Sequence, residues 1–147
     1  MEGETIYDKK YIIDNGLVFN DQLSYGGDEY DSFIVKYDQN NNEHIYTGII
    51  YELYENGNIA NYYEVKAGIK EGLMVYFFPN GQIKEIKRLE KNSLEGLQKE
   101  FSENGVIKSK EHRVSGRLMS FKKYDSKGNI IEEETEPAKI ELNYRNM

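Results

Sequence analysis

Apolar positions along this chain recur with a long period, not a helical one. With Gly57, Gly81, Gly105 and Gly128 set in register, the spacings are 24, 24 and 23 residues. An isoleucine stands two places after each glycine, at Ile59, Ile83, Ile107 and Ile130. A large apolar or aromatic residue stands four places before, at Leu53, Phe77, Phe101 and Tyr124. Eight places before come Ile49, Leu73 and Leu97, then Ser120; nine before come Gly48, Gly72 and Gly96, then Met119. Two columns that agree in every copy mark an internal repeat of one supersecondary unit.

The unit reads as a β-hairpin. Short runs rich in β-branched and aromatic residues flank Asn-Gly, a strong short-range hairpin signal. Glycine takes the positive φ of a tight turn without steric cost. Turn length follows from the columns. A two-residue turn would set Leu53 opposite Ala60, whereas a three-residue loop closed by a glycine bulge sets Leu53 opposite Ile59. The second register puts both apolar columns on one face, and a slip of one residue would send half of them to solvent. The fourth copy has Lys127 where asparagine stood and lacks one residue upstream, near Gly116, as terminal repeats often depart from type to cap a stack.

The other face is apolar at first (Ile50, Tyr54, Met74, Tyr76, Phe78) and polar by Gln98, Glu100 and Ser102. Its apolar end needs a cover, for which residues 1–45 are the candidate. There "YIIDNGLVF" and "DSFIVKYD" read as strands, and "YGGDEYD" and "DQNNNEH" as polar loops. The tail starts with Glu132, Glu133 and Glu134 and breaks at Pro137, after which "KIELNY" could form a last strand. No sustained helical periodicity is visible. The expected fold is all-β, an elongated antiparallel meander of repeated hairpins in one domain: capping strands and loops over 1–45, four repeats over 46–131, and an acidic capping tail over 132–147.

Charge sharpens this picture. Residues 1–64 carry 13 acidic and 3 basic side chains, residues 65–131 carry 8 and 14, and residues 132–147 carry 5 and 2. Eleven of the 13 tyrosines lie in the first 76 residues. An acidic front steers basic partners toward it, and tyrosine is enriched where proteins meet proteins. The chain has no cysteine, which rules out a disulfide framework and thiolate chemistry and fits a reducing cytoplasm. The start lacks the order of a signal peptide, and there is no apolar run long enough for a membrane helix.

Catalytic chemistry finds little support. His44 and His112 are far apart in sequence, in no metal-ligand spacing and beside no motif that activates a serine. Asp28, Glu29 and Asp31 do not follow the spacing of an EF-hand loop. The basic stretches "KEIKRLEK" and "IKSKEHR" are interleaved with glutamates and poor in aromatics, unlike a single-strand nucleic-acid binder. No enzyme, no cofactor, no metal and no nucleic-acid partner are expected.

The phrases "YENGNI" and "FPNGQIKEIKRLEKNSLEG" resemble the bacterial variant of MORN repeats. More closely, "NGLVFN" followed by "YTGIIYELYENGN" is similar to the lead-in of the YwqK-family antitoxins. That resemblance spans roughly residues 12–131. It implies an antitoxin or immunity protein that neutralises a cognate bacterial toxin by direct binding. It brings no site residues, because the shared positions are those of turn and core. Gly57, Gly81, Gly105, Gly128, Ile59, Ile83, Ile107 and Ile130 are accordingly assigned to structure. Charge and aromaticity suggest Tyr25, Asp28, Glu29, Tyr30, Asp31, Tyr51, Tyr62 and Tyr63 as contacts to a basic toxin. The alternative is a structural scaffold whose basic stretch faces a membrane surface, although that stretch lacks an uninterrupted cation cluster.

Overall fold

The computed structural model describes residues 5–20, 22–26 and 33–135. Within them the chain is a long antiparallel meander of hairpins, with one short helix and one parallel pairing, of Gly16–Val18 with Ile49–Tyr51. The main sheet runs β1 (Gly16–Val18), β5 (Gly48–Leu53), β6 (Ile59–Lys66), β7 (Ile69–Phe77) and β8 (Ile83–Glu90). It continues through β10 (Gly96–Phe101), β11 (Ile107–Val114), β12 (Arg117–Tyr124) and β13 (Ile130–Glu134), with β9 (Ser93–Leu94) also paired to β8. A small sheet holds β2 (Leu23–Tyr25), β3 (Ile34–Tyr37) and β4 (Glu43–Ile45).

The glycine-centred turns have the three-residue form. At the first, the Tyr54 N–H donates to the Asn58 carbonyl at 2.8 Å and the Gly57 N–H to the Tyr54 carbonyl at 2.9 Å. Gly57 sits at φ 87°, and Leu53 lies opposite Ile59. Phe77 meets Ile83, Phe101 meets Ile107, and Tyr124 meets Ile130 in the same way. The turn asparagine also fastens the loop, because Asn56 Oδ1 accepts from the Asn58 N–H at 2.9 Å, as Asn80 does from Gln82. Where Lys127 replaces it, Asp125 takes over and accepts from the N–H groups of Lys127 and Asn129, both at 2.9 Å.

At the other end of the hairpins lies a second periodic turn. Ala67-Gly68, Lys91-Asn92 and Ser115-Gly116 each have two consecutive residues at positive φ, the mirror-image turn that suits the strand twist. The N–H of Gly68 donates to Tyr46, that of Asn92 to Lys70, and that of Gly116 to Leu94, at 2.8–2.9 Å. Neighbouring copies are thereby tied to each other as well as by the sheet. The residue missing from the fourth copy is explained here. Against the preceding strand, the second and third copies loop out two extra residues, while the fourth loops out one, at Met119.

Residues 11–15 overturn one expectation. "YIIDNGLVF" is not one strand: helix α1 spans Lys9–Asn15, and only Gly16–Val18 is extended. Asp8 caps the helix, its carboxylate accepting from the Tyr11 N–H at 2.8 Å. So short a helix buries one residue, Ile12, and so leaves no period in the sequence. The expected loop "DQNNNEH" likewise ends in strand, since Glu43–Ile45 pairs with β3. "DSFIVKYD" holds β3 as expected. The end of "YGGDEYD" and the tail from 136 onward, with Pro137 and "KIELNY", lie outside the described residues.

Two cores follow from the two faces of the sheet. On the face carrying the repeat columns, Ile12 of α1 packs with Ile49, Tyr51, Ile59, Tyr62, Leu73, Val75 and Ile86. On the opposite face, Leu23 and Ile34 of the small sheet pack with Ile50 and Val65. The N-terminal segment therefore covers both faces, where the sequence pattern asked for a cover on one. Its reach ends near β8. The apolar columns feel this: Ile59 is buried, Ile83 and Ile107 half-buried, and Ile130, which opens β13, is 47% exposed and so lies outside the core.

Gln98 is buried at the step where β10 parts from β8. Its Oε1 accepts from the Arg88 N–H at 2.8 Å, and its Nε2 reaches the carbonyls of Glu95, Gly96 and Arg88. A side chain thus substitutes for missing ladder bonds. Gln98→Ala strips a buried N–H of its partner and is expected to cost about 1–3 kcal/mol in urea unfolding.

Candidate functional site

Strand register assigns every side chain beyond β8 to a face, because neighbours along a strand alternate. Glu100 lies across from Glu85 and Ser109, and Glu111 from Gln98 and Phe121. These share the small-sheet face with Tyr63, Met74 and Tyr76. Lys99, Lys110, Lys122 and His112 take the helix face. Lys99, Lys110 and Lys122 are therefore parted from Glu100 and Glu111, their neighbours in sequence, which lie on the other face.

The small-sheet face carries the aromatic and acidic surface. Tyr25, at its margin, is 58% exposed and its ring is 6.1 Å from that of Phe19. Tyr63 is half-buried beneath the Lys70 ammonium, 4.8 Å from the ring centroid. Tyr76 donates to the Met74 sulfur at 3.2 Å. Cations on this face lie against partners: Lys87 near Glu85 (3.7 Å) and over the Tyr76 ring, Arg113 on Glu111 (3.0 Å), Lys123 near Glu132 (3.5 Å). A shallow groove of about 230 Å³ runs here, lined by Glu85, Gln98, Glu100, Ser109 and Glu111 among others. Burial pushes the Tyr63 phenol up to about 12.

Of the contacts suggested by the sequence, Tyr25 and Tyr63 fall on this face. Tyr51 and Tyr62 do not serve as contacts. They sit in the core under α1, 9% and 0% exposed, and burial holds the Tyr62 phenol at about 12. Its oxygen accepts from the Tyr7 N–H at 3.1 Å. Asp28, Glu29, Tyr30 and Asp31 lie outside the described residues. Met74, Tyr76, Glu85 and Glu100 join the surface without having stood out as contacts in the sequence; alternation within β7, β8 and β10 is the signal that groups them.

The two histidines stand in separate sheets. His112 is on exposed β11, and His44 Nε2 is 2.8 Å from Asp38 on the small sheet. Asp38 also accepts from the N–H groups of Asn42 and Asn40 at 2.9 and 2.8 Å. The Asn42 bond above all, with His44 next, lowers its carboxyl to about 2. A carboxylate lowered in the fold contributes stability above its unfolded pKa and loses it as pH falls through the folded one. Asp38→Asn is therefore expected to flatten the acid limb of thermal stability between roughly pH 4 and 2, as followed by circular dichroism. Among the described residues no cluster of three or more metal-ligating side chains occurs.

Fold and faces together define a hairpin-repeat scaffold with two unlike surfaces. Residues 70–88 and 94–114, which hold most of β7, β8, β10 and β11, match the family model described as MORN repeat variant. No curated protein matches it. Among solved structures it is similar to the crystal structure of accessory secretory protein 1,2 and 3 in Streptococcus pneumoniae, at 14% identity and a TM-score of 0.38. That alignment covers 79% of this chain and 20% of the other, so the chain spans about a fifth of the length of the one it matches.

Proposed function

We propose that this protein is a non-catalytic binding protein that neutralises a cognate bacterial toxin by direct contact, with the small-sheet face meeting a basic surface of that toxin. One observation carries the reading: beyond the small sheet this face is uncovered among the described residues at Tyr76, Glu85 and Glu100, and it adjoins Tyr25, Glu52 and Tyr63 at that sheet's margin. Aromatic rings supply contact area at low entropic cost, and the carboxylates steer a cationic partner. An extended sheet of this length offers the 20–30 residues that an interface of about standard size needs.

The test is co-expression with the neighbouring reading frame. Relief of toxicity and a complex that co-purifies support the reading. Tyr76→Ala with Glu100→Lys should then weaken both, and lysine at Asp28, Glu29 and Asp31 tests the contacts that the sequence suggested there. A frame that is harmless alone, or neutralisation untouched by all of these substitutions, would overturn it.

A further inference from the structure

The helix face changes character along the sheet. Tyr62, Val75, Ile86, Lys99, Lys110 and Lys122 lie directly across from one another on successive strands. The row is apolar under α1 and cationic beyond it. Like charges directly opposite destabilise a sheet, yet Lys99, Lys110 and Lys122 form no ion pair among the described residues. Glu100 and Glu111, which could have screened them, point to the other face. At the edge strand Glu133 faces Lys122 and ends the row. Alongside it, on the same face, runs an apolar row of Phe101, Ile107, Tyr124 and Ile130, from half-buried to 47% exposed.

The fold itself displays the kind of element this face accepts. α1 lies on it as a short helix, its Ile12 set into the sheet, with Ile6 and Tyr7 from the residues just before it packed beside it. The later copies carry no such helix among the described residues. Spacing points the same way. Adjacent strands lie about 4.8 Å apart, close to the roughly 5–6 Å between side chains one turn apart on a helix. A helix crossing the strands can therefore set three successive carboxylates over the three lysines. In an extended chain, residues on one side repeat at about 6.6 Å, which drifts out of step.

We propose that this face docks an acidic amphipathic helix of a partner protein, its carboxylates on Lys99, Lys110 and Lys122 and its apolar side chains on the Phe101, Ile107, Tyr124 and Ile130 row. The proposal rests on the reading of the chain as a binding protein, but not on the partner's being a toxin. The test is an NMR titration of the full chain with two synthetic peptides of one glutamate, leucine and alanine composition. In one, the glutamates fall on a single helical stripe beside the leucines; in the other the order is scrambled. The patterned peptide should shift the amides of Lys99, Phe101, Lys110 and Lys122 and bind more weakly as salt rises. Binding should fall roughly tenfold or more in K99E/K110E/K122E, while K99Q/K110Q/K122Q, which removes like charges, should bind weakly and keep its melting temperature. Equal binding of the scrambled peptide, unchanged binding in both triple variants, or shifts of these amides by oligothymidylate or phosphatidylserine vesicles but not by the peptide would overturn it. Toxicity relief is scored separately: a chain that neutralises yet ignores the peptide sinks this proposal alone, and one that binds the peptide yet relieves nothing sinks only the toxin reading.

Discussion

Tyr62→Ala should destabilise the protein by about 3–5 kcal/mol, the range for removing a large buried ring. The ring is wholly buried among Tyr7, Phe77 and the core beneath α1. Removal opens a cavity where helix and sheet meet, so α1 loses its seat as well. Tyr62→Phe separates the two contributions. It keeps the ring and loses only the bond from the Tyr7 N–H, a change of about 1 kcal/mol. Chemical denaturation of both variants, with hydrogen exchange at Ile12 as a local probe, measures the effect. Were the alanine variant as stable as the phenylalanine one, the core described under α1 would be wrong.

Gly68→Ala is the second large effect, and its size can be compared with a matched control. Gly57 and Gly68 are both in the left-handed region, at φ 87° and 81°. A Cβ at Gly57 would meet nothing within 4 Å, whereas at Gly68 it would meet Phe33 Cβ at 2.8 Å and the Ile34 N at 3.3 Å. Gly57→Ala should therefore cost only the conformational term, about 1–2 kcal/mol. At Gly68 overpacking adds about 1–3 kcal/mol more. The excess falls on one joint: the Gly68 carbonyl accepts from the Ile34 N–H at 2.9 Å, and its N–H donates to Tyr46 at 2.8 Å. These bonds fasten the small sheet to the β6–β7 hairpin. Loss of amide protection in Ile34 and Val35, ahead of the main sheet, is the expected signature; equal losses in the two variants would refute it.

Gly68 also shows how a turn escapes a reading of sequence. Its partners in the repeat are Asn92 and Gly116, spaced at the same 24-residue interval as the Asn-Gly turns. No column of like residues marks them, because Ala67, Lys91 and Ser115 share no chemistry, only a positive φ. α1 is hidden for another reason. One buried residue in seven is no pattern, and its helical state depends on the Asp8 cap and on a sheet that forms far along the chain. Tyr51 and Tyr62 look like surface contacts in the sequence because tyrosine suits interfaces and cores alike. Their burial depends on which segment folds back over the strand.

What the order of residues settled was the repeated hairpin, its three-residue turns and the pairing of Leu53 with Ile59 and its counterparts. Turn geometry and alternation are local, so a few neighbouring residues specify them. Which charges share a face was not local. Each bulge adds residues and resets the alternation, so Lys99, Lys110 and Lys122 align only once the register of every intervening strand is known. The covering of one face by α1 and of the other by the small sheet was likewise settled by packing between segments distant in the chain. Long-range contacts of this kind choose which surface is buried and which is left to meet a partner.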